Sequence, residues 1–197
     1  MVSPRKEQER SRVTRQRLME ACVECLVELG WAGTTTTVVA KRAGVSRGAQ
    51  LHHYPTRAEL VVAAVEHVGK ARAAEIVESA GGLPTGRQRT EAVLGLLAEF
   101  YCGPLFAAAL ELWVAARTDE QLRTVVAPLE TQLGREAHRV AVEMLGVDEG
   151  RPGVRELIQA TLDLLRGLGL AGVLSDDRER RRRILRRWAR VLDNELK

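Results

Sequence analysis

Side chains that can donate hydrogen bonds to phosphates and base edges are concentrated in one short stretch, SRGAQLHH. Its polar members are Ser46, Arg47, Gln50, His52 and His53. An arginine can donate two hydrogen bonds to a single guanine edge, and hydroxyl, amide and imidazole groups can donate to phosphate oxygens. Gly48 is small and lets the backbone come close to a duplex. The stretch therefore has the chemistry of a surface that contacts nucleic acid.

The neighbouring residues place this stretch on the second of two short helices. Residues 36–42 have helical spacing and are followed by Gly44, at a point where a chain leaving a helix usually needs a positive φ. Ser46 can cap the second helix, 46–53. A helix, a glycine-bearing turn and a second helix form a helix-turn-helix, whose second helix lies in the DNA major groove. A capping box at 56–59 predicts that another helix begins at once.

Helical periodicity continues along the whole chain, and no stretch alternates with a period of two. The sequence predicts an all-α fold of about nine helices. Their predicted bounds are 11–29, 36–42, 46–53, 56–80, 85–101, 105–117, 118–145, 154–174 and 175 to the end. Residues 1–10 are expected to be a disordered arm. Pro128, inside the seventh helix, predicts a kink or a break there.

Positive charge is concentrated at the two ends. The net charge is +4 for the chain, +4 for residues 1–17 and +4 for residues 176–197, which leaves −4 for the remainder. A basic arm beside a helix-turn-helix suits a polyanionic partner, and a solvated tail fits the same composition. For the arginine run 180–183, ion pairs or a solvated face are favoured over contact with DNA.

Other classes of protein are not indicated. The three cysteines are an odd number, no signal peptide is expected, and no apolar run reaches 18 residues, so we expect no membrane span and a reducing cytoplasm. Cys22 and Cys25 lie on an apolar helical stripe, where core packing is favoured over redox sensing. No metal-site spacing, cofactor fingerprint or nucleophile elbow occurs, so neither a metal, a cofactor nor an enzyme is expected.

The stretch KRAGVSRGAQLHHYPTRAEL resembles the signature of the TetR (tetracycline-repressor) family of bacterial transcription regulators, and the resemblance extends over residues 16–65. It implies a three-helix DNA-binding domain at 1–55 and a helical bundle at 56–197 for ligand binding and dimerisation. The long fourth helix would link the two mechanically. Gln50–Leu51 departs from the family pattern, which has an apolar residue and then a phosphate-contacting tyrosine. Gln50 can therefore face either the core or DNA.

The residues expected to contact DNA surround the helix-turn-helix. They are Thr36, Thr37, Lys41, Ser46, Arg47, Gly48, Gln50, His52, His53 and Arg57. Arg47 is the candidate for base contacts, whereas Lys41 and Arg57 are candidates for phosphate contacts.

The resemblance also implies a small-molecule pocket among helices five to eight and a dimer formed by the last two helices. Candidate pocket residues are Phe100, Tyr101, Phe106, Leu110, Trp113, Arg117, Leu133 and His138. Candidate interface residues are Leu157, Leu162, Leu165, Ile184, Leu185, Trp188, Val191 and Leu192.

The expected protein is a homodimeric, ligand-responsive regulator. It would be a repressor released from a palindromic operator by an apolar or amphipathic small molecule. Two alternatives stay open from the sequence: a DNA-binding regulator with a filled core and no effector, and a helical small-molecule-binding protein or enzyme in which the helix-turn-helix match is accidental.

Overall fold

The computed structural model describes residues 4–196, and its side chains are described for 8–86 and 88–196. This part of the chain contains nine α-helices, one short 3₁₀ helix at Ala80–Gly82 and no strands. In chain order the helices are α1 (Pro4–Gly33), α2 (Thr36–Ala43), α3 (Arg47–His53), α4 (Arg57–Ser79), α5 (Arg87–Cys102), α6 (Pro104–Ala116), α7 (Glu120–Leu145), α8 (Val154–Ala171) and α9 (Arg178–Glu195). The predicted all-α fold is confirmed.

The chain forms two compact units. The first contains the chain up to Lys70 together with Ala107–Glu130, and the second contains Ala71–Phe106 and Thr131–Lys197. In the first unit α1, α2 and α3 pack on one another. In the second unit α5 packs on α8 and α9. The functional division at residue 55 stays a prediction.

The predicted disordered arm is wrong for residues 4–10, because α1 already begins at Pro4; residues 1–3 of that arm lie outside the described residues. Proline suits the first position of a helix, and the polar residues that follow are good helix formers. An Arg12–Glu9 ion pair of 2.7 Å bridges one turn. At the other end, Gly30 breaks the helical path at φ 63° and ψ −176°, so the predicted stop there is confirmed.

Of the two outcomes predicted for Pro128, the break is wrong, because α7 continues through it; the kink stays a prediction. A proline inside a helix costs about 3 kcal/mol through a lost hydrogen bond and a steric clash. The neighbouring Leu122, Val126 and Leu129 are all buried. Their packing offsets that cost and keeps the segment helical.

No single helix among residues 4–196 is long and apolar enough to cross a bilayer. Gln88–Cys102 and Pro104–Ala116 reach that length and composition only as a pair, which is bent by 53°.

The side chain of Thr35 caps the start of α2, and its contribution to stability can be tested. The Thr35 hydroxyl accepts a hydrogen bond from the Val38 N–H at 3.2 Å. Thr35→Ala should therefore lower the free energy of unfolding by about 1 kcal/mol in urea denaturation. Thr37→Ala, at an exposed position of the same helix, is the matched control and should change it by less than about 0.5 kcal/mol. Equal effects of the two substitutions would contradict the capping role.

Candidate nucleic-acid interface

The turn between α2 and α3 is built by short-range chemistry. Gly44 takes the left-handed conformation (φ 65°, ψ 33°), and its N–H donates to the Lys41 carbonyl at 3.2 Å. The Val45 N–H donates to the Ala40 carbonyl at 3.0 Å, which closes the end of α2. Ser46 then caps α3, since its Oγ accepts from the Ala49 N–H at 3.2 Å. The predicted helix-turn-helix is present.

One side of α3 faces outwards. Its exposed residues are Arg47, Gly48, Leu51 and His52. In a helix these positions fall within about 140° of one another, since each residue advances the direction by 100°. We call this set the α3 outer face. Ala49 and His53 are half-buried, and their directions fall outside this arc. Burial, followed by the neighbouring His52 and Arg15, lowers the pKa of His53.

The α2 residues predicted to contact DNA are also accessible. Thr37 and Lys41 are exposed and lie one turn apart, and Thr36 is half-buried. Arg42, by contrast, is engaged within the unit: its guanidinium lies 2.5 Å from the Glu28 carboxylate and 3.7 Å from that of Glu24. Lys41 is therefore the better placed of the two neighbouring cations for contact with a phosphate.

The prediction that Gln50 contacts DNA is wrong for this structure. Gln50 is completely buried, and its Nε2 donates to the Tyr54 carbonyl at 2.6 Å. The direction of position 50 falls outside the arc of the outer face, and the side chain is enclosed in the domain core. Its amide satisfies a carbonyl at the end of α3, which makes Gln50 a positioning residue for the helix.

The predicted phosphate contact of Arg57 is also contradicted by the geometry. The Arg57 guanidinium lies over the Trp31 ring, with 3.4 Å between Cζ and the ring centroid, and donates to the Trp31 carbonyl at 2.5 Å. Burial lowers the pKa of this guanidinium. A cation stacked on an indole face and bonded to its backbone stabilises the domain and does not project from it.

Trp31 is also fixed by α6. Its N–H donates to Glu111 Oε2 at 2.9 Å. The same carboxylate oxygen would lie 2.8 Å from a Cβ added at Gly30. The end of α1, the start of α4 and the middle of α6 therefore meet at Trp31. Sequence reasoning missed Glu111 as part of this arrangement, because the contact joins positions 80 residues apart.

The cysteines of α1 belong to the core. Cys22 and Cys25 are completely buried, and burial raises the pKa of the Cys22 thiol to about 12. A thiol with such a pKa is protonated at neutral pH and unreactive. Core packing, the favoured interpretation, is confirmed.

The eight candidate pocket residues are divided between the two compact units. Phe100, Tyr101 and Phe106 form an edge-to-face aromatic series in the second unit, with centroid distances of 5.4 and 5.8 Å. Tyr101 and Phe106 are buried. Leu133, on α7, is half-buried in the same unit. Leu110, Trp113 and Arg117 belong to the first unit.

His138 does not join the aromatic series. Its Nε2 lies 2.7 Å from Glu149 Oε2, and both residues line an open groove of about 620 Å³ between α7 and α8. Charged side chains, among them Arg135 and Arg155, line the same groove. Its lining is that of a solvated, ion-paired surface.

Half of the candidate interface residues are inside the protomer's own core. Leu162, Leu165, Leu185 and Leu192 are buried within one chain, so their assignment to a dimer surface is wrong. The other four, Leu157, Ile184, Trp188 and Val191, are half-buried.

Two of these half-buried residues line an open groove on α8 and α9. Ile184 and Trp188, with Leu164, contribute to a groove of about 620 Å³, which three arginines of α9 also line. Trp188 Nε1 donates to Thr161 Oγ1 at 3.0 Å, which fixes the indole between the helices. An apolar strip bordered by cations is thus exposed on the outer side of these helices.

The sequence model described as bacterial regulatory proteins, tetR family, matches residues 18–64. The chain is 32% identical over 195 residues to the HTH-type transcriptional regulator CymR of Pseudomonas putida, covering 93% of this chain and 92% of that protein. It is 31% identical over 144 residues to an uncharacterized HTH-type transcriptional regulator of Mycobacterium tuberculosis, covering 73% of this chain and 74% of that protein.

Solved structures show the same fold. A putative TetR-family transcriptional regulator from Rhodococcus sp. has a TM-score of 0.66 at 20% identity, covering 90% of this chain and 97% of the other. The multidrug binding protein EbrR complexed with malachite green has a TM-score of 0.60 at 25% identity, covering 88% of this chain and 96% of the other.

Proposed function

Since this chain belongs to the TetR family of bacterial regulatory proteins, we propose that it is a dimeric repressor which a small molecule releases from a palindromic operator. The chain is a DNA-binding helix-turn-helix transcriptional regulator. Its relatives are regulators and not enzymes, so the enzyme alternative is set aside. The observation that carries the proposal is the α3 outer face, where Arg47 stands exposed beside Gly48.

In the proposed complex α3 enters the major groove. Arg47 contacts a guanine edge, and His52 and His53 donate to neighbouring bases or phosphates. The DNA phosphate backbone is contacted from α2 by Lys41, Thr36 and Thr37. It is also contacted by the N-terminal turn of α3 at Ser46. Arg57 and Gln50 act from inside the domain, where they hold α4 and the end of α3 in place.

Dimerisation is proposed through the outer sides of α8 and α9. One helix-turn-helix contacts only a few base pairs, whereas two related copies contact half-sites about 34 Å apart or a multiple of that distance. The strip formed by Leu164, Ile184 and Trp188 provides apolar area on one protomer for the same area on a second. Arginines at its border discourage non-specific association.

Release by a small molecule is proposed through α6. The solved complex of EbrR with malachite green supports an effector of apolar or amphipathic type. The aromatic series Phe100–Tyr101–Phe106 gives the core of the second unit aromatic side chains of the same character. In α6, Phe106 belongs to this series, and Glu111 holds the Trp31 N–H. Binding that favours one position of α6 would therefore change the populations of two states of the DNA-binding helices.

A regulator without an effector is the second candidate. Gly169 of α8 lies directly against the Tyr101 carbonyl, where no Cβ fits, and this close packing favours a filled second unit. Release from DNA by a small molecule is expected for the ligand-responsive repressor and not for the regulator without an effector.

The test is a binding selection on random duplex DNA with the purified full chain, followed by titration of the selected site with malachite green. We expect a palindromic consensus and a loss of operator affinity as the dye is added. A consensus without symmetry would contradict the dimer, and no enrichment at all would contradict specific repression. Dye binding with unchanged DNA affinity would favour the regulator without an effector.

A further inference from the structure

Leu51 is the one apolar side chain on the α3 outer face. It is 43% exposed, and its direction on the helix lies between those of Arg47 and Gly48. The helix to which it belongs is fixed at both ends by Ser46 Oγ and by the Gln50–Tyr54 hydrogen bond. Leu51 is therefore presented outwards by a well-defined backbone, next to the cation proposed to contact a base.

Gly48 makes a close approach at Leu51 possible. A Cβ added at Gly48 would meet nothing within 4 Å, and its φ is not positive. A helical glycine costs about 0.5–1 kcal/mol relative to alanine, so the fold by itself gives no reason for this residue. Without a side chain at 48, a surface in front of α3 can reach the short side chain of Leu51.

The chemistry of the major groove limits what Leu51 can contact there. A leucine offers no hydrogen bond, and covering a polar base edge or a phosphate with it leaves that group unpaired, at a cost. The thymine C5-methyl is the apolar group that the four base pairs present in this groove. We propose that Leu51 contacts the C5-methyl of a thymine next to the base contacted by Arg47, an inference that rests on the proposed function.

The test replaces single thymines of the selected operator by deoxyuridine, which removes the methyl group and keeps every hydrogen-bonding group. For the unaltered protein we expect one position in each half-site where this change weakens binding about fourfold, the effect of burying one methyl-sized group. With Leu51→Ala the thymine and deoxyuridine operators should bind equally at that position. With Leu51→Met, which keeps an apolar side chain, the difference should persist.

Leu29→Ala is the matched control. Leu29 is a leucine of the same unit, 45% exposed, and belongs to α1 and not to the α3 outer face. This variant should keep the fourfold difference. The inference is overturned if no thymine responds to deoxyuridine, or if the response survives in Leu51→Ala. Those outcomes leave specific binding intact, whereas the failure of the proposed function would appear earlier, as absence of any selected sequence.

Discussion

Gly169→Ala should lower the free energy of unfolding by about 3 kcal/mol, whereas Gly167→Ala, two residues away on α8, should raise it by about 0.5–1 kcal/mol. A Cβ at position 169 would overlap the Tyr101 carbonyl oxygen and lie 3.1 Å from Phe106 Cε1. A backbone carbonyl cannot rotate aside as a flexible side chain can, so α5 and α8 would have to separate. At position 167 a Cβ would meet nothing within 4 Å.

Urea denaturation of both variants at one protein concentration measures this difference, since the stability of the proposed dimer would depend on concentration. The two substitutions are chemically identical and lie on the same helix, so a general effect of alanine on α8 cancels in the comparison. Equal stabilities of the two variants would show that α5 and α8 do not approach as closely as the Tyr101–Gly169 contact requires. A destabilised Gly169→Ala should also lose the fixed aromatic packing at Phe106.

The helix-turn-helix could be predicted from sequence because its determinants are local. The left-handed conformation of Gly44 and the cap from Ser46 each depend on residues within five positions. The capping box at the start of α4 is equally local, with hydrogen bonds in both directions between Thr56 and Glu59 of 3.1 and 3.2 Å. Such features follow from backbone sterics and unsatisfied N–H groups, and they do not depend on residues far away in the sequence.

The roles of Gln50 and Arg57 could not be predicted in the same way. Both are polar residues in a stretch rich in DNA-binding chemistry, and their types favour exposure. Arg57 faces inwards because Trp31, 26 positions earlier, provides an aromatic face and a carbonyl acceptor. Gln50 faces inwards because its amide reaches a carbonyl that the end of α3 leaves free. The Arg57 contact joins positions that are far apart in the sequence. The Gln50 contact is local, but the burial of that side of α3 depends on the helices that pack against it.

The leucines of α8 and α9 show a second limit on what can be predicted from the sequence. A helix with an apolar stripe must bury it, but the pattern does not say whether the partner is the same chain or a second copy. Leu165 and Leu192 are completely buried within the protomer, while Ile184 and Trp188 remain half-buried at the surface groove. The apolar stripe on each helix is therefore wider than one interface. Which residues of the stripe are buried in the protomer and which remain at the surface is decided by the packing of the helices and not by the sequence pattern.

Arg47→Ala should reduce the preference for operator over random DNA by about 1–3 kcal/mol per half-site, the discrimination of one bidentate arginine–guanine contact. Arg47 is exposed on the α3 outer face, and the hydrogen bonds described for this unit do not use its guanidinium. Its removal should therefore leave the fold intact. Affinity for random DNA should fall much less, because contacts to phosphates persist.

Lys41→Ala is the comparison that separates base from phosphate contacts. Lys41 is exposed on α2, and its loss should weaken operator and random DNA to the same extent. The slope of log K against log salt should become shallower by about 1 per subunit, since one fewer phosphate is neutralised by each. Fluorescence anisotropy with both DNAs at several salt concentrations gives the preference and the slope together. If Arg47→Ala behaves as Lys41→Ala does, Arg47 serves the backbone, and the bases must be contacted by His52 and Leu51.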